Sequence, residues 1–338
     1  MRGLNFFDKF VFILNSIAAV LLAVSYLLPH VPPAKFSFVS ILSLTVPFLI
    51  LLNFFFLIYW IIRLKKQFLL SLLMLLLGYN YALSLYQFGG DNETNSTDGL
   101  KIMTYNVRLF NVFNWLPDAN IKEHISTFIS KENPDILCMQ EYRPNSSLSL
   151  KGYSKYEELS RGKIRTGQAI YSRFPIVNSG SIEFPNTANN AIYADIVKGK
   201  DTVRVYNIHL QSLRIDTANQ PITEETSENL LRRVAVAFRQ QQSQMELFLK
   251  HKSSSKHKLI ICGDFNNTAY SYVYRNIREG LNDAFVEAGI GFGRTFKFDL
   301  FPMRIDFILT DPKFEVENFK SYQEEFSDHY PISTNIRL

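Results

Sequence analysis

Cysteine is almost missing from this chain of 338 residues, with Cys138 and Cys262 the two present. That excludes a disulfide framework and a Cys-rich zinc site. Each sits inside an apolar strand-like run, so two buried thiols are expected rather than a bridge. A Gly-rich phosphate loop and a GxSxG elbow are also missing, which removes the P-loop and serine-hydrolase classes. There is no internal repeat and no low-complexity tract. Charge is nearly balanced: Lys and Arg total 36 against 31 Asp and Glu, a net +5, which gives no argument for nucleic acid by itself.

Charge is wholly missing from three long apolar runs, residues 10–28, 36–62 and 68–86. Each reaches the roughly 20 residues needed to cross a hydrocarbon core, so residues 1–87 read as a membrane region with three transmembrane helices. The first run lacks a small-residue cleavage site and two more follow, so a cleaved signal peptide fits poorly. Arg2 and Lys9 flank the first run, and Arg63, Lys65 and Lys66 separate the second from the third, whereas the other short loop carries only Lys35. The positive-inside rule places the N-terminus and the "RLKK" segment in the cytoplasm. Three crossings then put everything after the third on the non-cytoplasmic side of a cell membrane. Asn15, Asn53 and Asn80 lie within the runs and are expected to hydrogen-bond between helices.

Residues 88–99, from "QFGGDNETNSTDG", read as a linker, and 100–338 as a soluble domain. Strand patterns occur in "LKIMTYNVRLF", "DILCMQEY", "GQAIYSRFPI", "KLIICGDFN", "MRIDFILT" and "PISTNIRL". "NAIYADIV" and "TVRVYNIHL" look like a hairpin around "KGKD". "IKEHISTFISKENPD" has helical spacing, and "NLLRRVAVAFRQQQSQMELFLKHK" reads as a long helix. Such an alternation suggests two packed sheets covered by helices.

Polar residues gather where these apolar runs end. Asn106 closes "IMTYN", Glu141 "ILCMQE", His209 "VRVYNIH", and Asp264 with Asn266 "LIICGDFN"; Asp306 sits in "RIDFIL", and Asp328 and His329 in "SDHYPIS". One such residue is ordinarily a turn or cap. A series in separate segments is more economically a shared rim. Carboxylates and carboxamides without thiolates suit a hard cation, Mg²⁺ or Mn²⁺, and histidines beside carboxylates suit acid–base chemistry.

In order, "YNVR", "MQE", "YSRFPI", "NIHL", "GDFN", "RIDFIL" and "SDHYPI" resemble the motifs of the endonuclease/exonuclease/phosphatase superfamily, from Tyr105 to Ile332. Its members include deoxyribonuclease I, apurinic endonucleases, neutral sphingomyelinases and inositol polyphosphate 5-phosphatases. The resemblance implies a four-layer α/β sandwich, two face-to-face sheets flanked by helices, and a metal-dependent hydrolase of phosphate esters. It implies Glu141 as principal metal ligand, with Asn106 and Asp328 beside the metal. Asp264 and Asn266 would hold the attacking water and a phosphate oxygen, Asp306 would orient His329, and His209 would donate to a phosphate oxygen or the leaving group. Whether His329 or Asp264 is the base stays open at this stage.

Two departures bear on substrate. Arg108 stands where apurinic endonucleases are acidic, and His209 matches the other branches rather than that one. Arg165, with Arg161 and Lys163 close by, is a candidate for binding substrate phosphate, as is Arg108. The expected function is a membrane-anchored phosphodiesterase, most nuclease-like, with a lipid or inositol phosphate phosphoesterase as the alternative. The expected partners are a phosphate ester (nucleic acid, phospholipid or inositol phosphate) and the bilayer. Phe296, Phe298 and Phe301 in "FGRTFKFDLFPMR" could stack bases, dip into a membrane or pack against the domain. Arg304, two residues before Asp306, could be that acid's structural partner on a strand face.

Overall fold

The computed structural model describes residues 4–89, 99–144, 148, 150–160, 165–213, 224–298 and 301–338, without the side chains of 224–226. They fall into two compact units, one within Met1–Tyr86, Arg214–Gln242 and Thr268–Arg275, the other within Gln87–Leu213, Ser243–Asn267 and Asn276–Leu338. The helices are α1 (Phe6–Ser25), α2 (Pro33–Ile41), α3 (Val46–Ile62), α4 (Phe68–Leu77), α5 (Tyr79–Leu85), α6 (Ile121–Glu132), α7 (Glu224–Lys252), α8 (Tyr272–Arg278) and α9 (Ala284–Ala288).

In the first unit, the stretches Phe6–His30 and Pro33–Ile62 are each long and apolar enough to cross a membrane. The third expected span is broken: α4 and α5 meet at an angle of 81°, so the count is two, or three if that pair is one span. The break falls at Gly78, where a Cβ would lie 2.0 Å from the hydroxyl of Tyr26. Asp8 on α1 binds Arg63 after α3 at 3.0 Å and accepts from Tyr59 at 2.7 Å, so the two helices run antiparallel. The expectation for the asparagines holds at two of three. Asn15 donates to Ser71 at 2.7 Å and accepts from Trp60 at 2.9 Å, and Asn53 donates to the carbonyl of Ala18 at 3.2 Å. Asn80 is exposed instead.

The strands are β1 (Gln87–Phe88), β2 (Leu100–Asn106), β3 (Ile136–Tyr142), β4 (Ser154–Leu159), β5 (Gly167–Ser172), β6 (Ile176–Glu183), β7 (Asn190–Lys198), β8 (Asp201–His209), β9 (Lys258–Asp264), β10 (Asn282–Asp283), β11 (Ile290–Gly291), β12 (Asp306–Thr310), β13 (Glu315–Ser321) and β14 (Ile332–Arg337). They form one sheet of order β13-β14-β2-β3-β5-β4, a second of order β10-β12-β9-β8-β7-β6, and a small β1-β11 pair. Ile102, Ile136, Cys138 and Ile170 of the first sheet share a core with Ile192, Val205, Ile260, Cys262 and Ile308 of the second. Each such aliphatic side chain contributes about 1.5 to 3 kcal/mol on full burial. Both cysteines are free and buried there, as expected.

Helix α6 forms because Ile121, Ile125, Phe128 and Ile129 repeat on one face. That face covers the outside of the first sheet, against Met103, Tyr105, Leu137 and Met139. Asn133 ends the helix in the left-handed region, at φ 51°, before Pro134. Across the second sheet, Phe248 of α7 packs edge-on against Tyr206 with centroids 5.0 Å apart.

A polar bridge crosses the apolar core between the sheets. Gln140 donates to Thr104 at 2.9 Å and to Asn207 at 2.6 Å. Asn207 in turn donates to the carbonyls of Met139 at 2.9 Å and Ala169 at 3.2 Å.

Candidate active site

Within each sheet one central pair is parallel, β2 with β3 and β8 with β9. Parallel neighbours deliver both C-terminal ends to one rim. The first pair brings Asn106 and Glu141, and the second brings His209 and Asp264, which are direct register partners. Strand β12 runs antiparallel to β9, so its first residue, Asp306, lies opposite β9's last, Asp264. An antiparallel neighbour thus reaches the same rim with its start.

Local backbone irregularities aim these groups. The pairing of β3 with β5 shifts register between Met139 and Tyr142, and inside that bulge Glu141 has φ 45°. A bulge redirects a side chain, and left-handed non-glycine residues persist where surrounding structure over-determines them. Asn266 has φ 49°. Gly263 has φ +137°, and a Cβ there would lie 2.0 Å from the Ile208 carbonyl oxygen. The "GDFN" glycine is therefore what lets β9 lie this close to β8 beside the site.

The side chains form one connected cluster. Asn106 donates to Asp264 at 3.1 Å and, more weakly, to Glu141 at 3.4 Å. Asn266 donates to Asp264 from its backbone at 2.7 Å and from its amide at 3.1 Å. His329 Nδ1 lies 2.9 Å from Asp306 Oδ2, and its Nε2 lies 3.7 Å from Asp264. His209 Nε2 is cut off from solvent with no hydrogen-bond partner among the described residues, its nearest carboxylate oxygen being that of Asp264 at 3.6 Å. Arg304 pairs with Asp283 at 2.7 Å, so it is not the partner of Asp306.

Burial sets the charges. It raises Asp264 to about 7, with Asp306 adding to the effect and His329 opposing it. Burial lowers His209 to about 3, helped by His329. For His329, burial acts downward, but the charges of Asp306 and Asp264 outweigh it and raise the imidazole well above its ordinary value. Glu141 is raised by burial and by Asp328, with His329 opposing. Ligand atoms of Asp264, Asp306 and His329 lie within 4.8 Å of one another, a group that could hold a metal ion.

The remaining expected residues sit farther out. Asp328 is 3.2 Å from Arg108 Nε, and the Arg108 backbone donates to Asn106 at 3.1 Å. Arg165 is exposed, and no contact joins it to the cluster among the described residues; Arg161 and Lys163 lie outside those residues. Phe301 is buried and packs on Phe292 at 6.1 Å, while Phe296 packs edge-on to His329 at 5.0 Å. Both therefore belong to the domain's own packing. Sequence reasoning missed Ser327, which donates to the Asn106 carbonyl at 2.9 Å and joins two motifs. It also missed Thr295, whose hydroxyl accepts from the backbone of Ile305 at 2.9 Å and Asp306 at 3.0 Å. A lone Ser or Thr in a loop carries no signal of such a role.

Comparison with known proteins agrees with this geometry. Residues 103–329 match the model of the endonuclease/exonuclease/phosphatase family, and residues 8–85 match a domain of unknown function, DUF8431. No curated protein matches the chain. Among solved structures, TDP2 from D. rerio, humanized by 14 mutations, aligns with TM-score 0.54 at 17% identity, covering 72% of this chain and 100% of that one. An endonuclease/exonuclease/phosphatase from Bacteroides vulgatus gives 0.54 at 21%, covering 71% and 99%. A mannosyl-6-phosphatase from Bacteroides thetaiotaomicron gives 0.54 at 17%, covering 71% and 100%. The chain belongs to the endonuclease/exonuclease/phosphatase family. It is a phosphoester hydrolase built on that family's two-sheet fold.

Proposed function

We propose that the protein is a divalent-metal-dependent phosphodiesterase with nuclease-like chemistry, held at a membrane by its N-terminal helices with the catalytic domain on the non-cytoplasmic side. The observation that carries the chemistry is the buried, unpartnered Nε2 of His209 beside Asp264 and the Asp306–His329 pair. A buried polar atom without a partner is costly, and a phosphate oxygen would satisfy it.

The donor set fits Mg²⁺ or Mn²⁺. Glu141 and Asn106 would hold the ion, with Asp328 beside it, and such an ion offsets phosphate charge that would otherwise repel a nucleophile. Asp264, held by Asn106 and Asn266, orients the attacking water and is placed to take its proton. Asp306 fixes the His329 imidazole with Nδ1 toward the carboxylate, which leaves Nε2 facing Asp264 and the phosphate. Neutral His209 donates to a phosphate oxygen. Arg108 offers a guanidinium at the rim.

The helices support the stated side. Asp8 and Arg63 mark one end of the α1–α3 pair. At the other end, Tyr81 of α5 donates to the Tyr26 carbonyl at 3.0 Å and stacks on its ring at 4.9 Å. Segments from later in the chain bond to that second end: Gln242 accepts from Ala34 at 2.7 Å, Arg239 donates to Ser37 at 2.9 Å, and Tyr270 donates to the Tyr81 carbonyl at 3.2 Å. This favours three crossings, with the basic "RLKK" end inside. A lipid or inositol phosphate phosphoesterase is the second reading, favoured by the bilayer-length helices.

The test uses the full chain in detergent micelles with bis(p-nitrophenyl) phosphate, DNA, RNA, sphingomyelin and inositol phosphates. Turnover of a diester should need Mg²⁺ or Mn²⁺, stop in EDTA, and fall by orders of magnitude in Glu141→Ala. Full activity in EDTA would sink the mechanism, and turnover of lipid or inositol phosphates alone would select the second reading.

A further inference from the structure

Residues 108–118 follow the first catalytic strand end, and the chemistry above leaves most of them unused. Arg108, Leu109, Phe110 and Asn111 have φ of 39°, 54°, 53° and 57°, and Asn114 has 55°. Such a run of left-handed residues costs about 1 to 3 kcal/mol each. It is held in place from below. Phe110 is buried and packs on Tyr142 at 6.1 Å. The Asn111 side chain clamps the loop shut, donating to the Leu116 carbonyl at 2.9 Å and accepting from its backbone at 3.0 Å.

This fixed loop holds two large aromatic rings in solvent. Phe113 is 54% exposed and Trp115 42% exposed, edge-to-face with centroids 5.0 Å apart. The Arg108 guanidinium lies 4.6 Å from the Trp115 ring centre and 3.2 Å from Asp328, the neighbour of His329. The rings are thus tied through one side chain to the catalytic rim. A single exposed aromatic needs no explanation. A pair of exposed rings in mutual contact, with a cation facing both a ring and the site, presents a ready stacking face to a ligand.

We infer that Phe113 and Trp115 form a subsite for a flat heteroaromatic ring carried by the phosphoester, a nucleobase, and so set specificity toward nucleotide-bearing diesters. This rests on the phosphodiesterase reading. A base offers a π-face to either ring, and Arg108 bridges from that face to the phosphate side. Phe301 is buried and Phe296 lies against His329, whereas the two rings of this loop face solvent beside the rim.

The test compares a single-stranded oligodeoxynucleotide with an abasic strand of equal length, using the full chain in detergent micelles and bis(p-nitrophenyl) phosphate as the check of activity. The Phe113→Ala/Trp115→Ala variant should lose about ten-fold or more in kcat/KM on the base-bearing strand and less than about two-fold on the abasic one. Trp115→Phe should keep most of the discrimination. Should the double variant fold poorly, binding to an inactive Glu141→Ala protein serves: Trp115 and Trp60 are the two tryptophans, and base-bearing but not abasic strands should quench fluorescence, an effect lost in the Glu141→Ala/Trp115→Phe protein. Equal losses on both strands would overturn the inference. So would turnover of the small diester with neither strand cleaved, or a loss confined to phospholipid in mixed micelles. Absence of any metal-dependent diester turnover would instead sink the phosphodiesterase reading beneath it.

Discussion

Replacing Asp306 by Asn separates catalysis from folding. The side chain is buried, and its two oxygens lie 2.9 and 3.2 Å from His329 Nδ1. Asn keeps the size and removes the charge. Arg304 is engaged by Asp283 at 2.7 Å, so the substitution strands no buried guanidinium. The backbone bonds from Ile305 and Asp306 to Thr295 do not involve the carboxylate. What goes is a charge-assisted hydrogen bond, worth about 1.5 to 3 kcal/mol, and with it the fixed orientation of the His329 ring and the stabilisation of its imidazolium. For an imidazole whose orientation matters to the reaction, kcat should fall by about 10² to 10⁴, or about 2.7 to 5.4 kcal/mol in barrier. The His329 imidazole should also titrate lower than in the native protein, since Asp306 is a principal cause of its raised value. Steady-state kinetics, calorimetric melting and histidine NMR on one preparation decide it. A lower Tm with unchanged turnover per folded molecule would refute the catalytic role.

Gly263→Ala should fail structurally, by about 3 kcal/mol or more, because φ is +137° and the new Cβ would meet the Ile208 carbonyl 2.0 Å away; expression and melting temperature check it. His209 contributes an acid-sensitive component to stability, which Asp264, raised to about 7, opposes between about pH 7 and 4. The folded pKa of His209, about 3, lies below the unfolded value near 6.5, so as pH falls from about 6.5 toward 3 the unfolded state gains a proton that the native site refuses, and this component drops by up to about 1.4 kcal/mol per pH unit. His209→Gln should flatten that slope in urea unfolding in EDTA. A reporter fused after Leu338 should work only if it is one that functions outside the cytoplasm, and a cytoplasmic reporter lighting up would reverse the orientation.

The buried strands were legible because burial on both faces leaves a continuous apolar run, as in "LIICG" of β9 and "DILCM" before Glu141. Strands β4, β6 and β13 were not foreseen, and each lies at a sheet edge. An edge strand such as "SKYEEL" is half solvated and carries the charges that discourage further pairing, so its sequence looks like a loop. The third apolar run was legible as apolar but not as bent: the break falls at Gly78, whose missing side chain leaves room for Tyr26 from a distant segment. At the site, the motif residues at strand ends announced themselves. The direction of Arg108 toward Asp328, the bulge at Glu141 and the support from Ser327 depend on contacts between distant segments. Arg165 was a charge in a loop, and a charge in a loop carries too little information to place it at a site.

The polar bridge beneath the rim has a consequence for tolerance. Burial of apolar sheet faces is non-directional, so it fixes their alignment less sharply than hydrogen bonds do. The bonds that Gln140 donates to Thr104 and Asn207 form in one alignment only. Gln140 is the residue before Glu141, and Asn207 comes two before His209. The bridge therefore acts as a dowel between two machined plates, placed where any error in alignment would be passed on almost undiminished to the reacting groups. The surrounding aliphatic side chains can be exchanged for others of similar volume while the spacing between Glu141 and His209 stays fixed. In this architecture the alignment of the rim is held by three uncharged side chains buried in the core behind it.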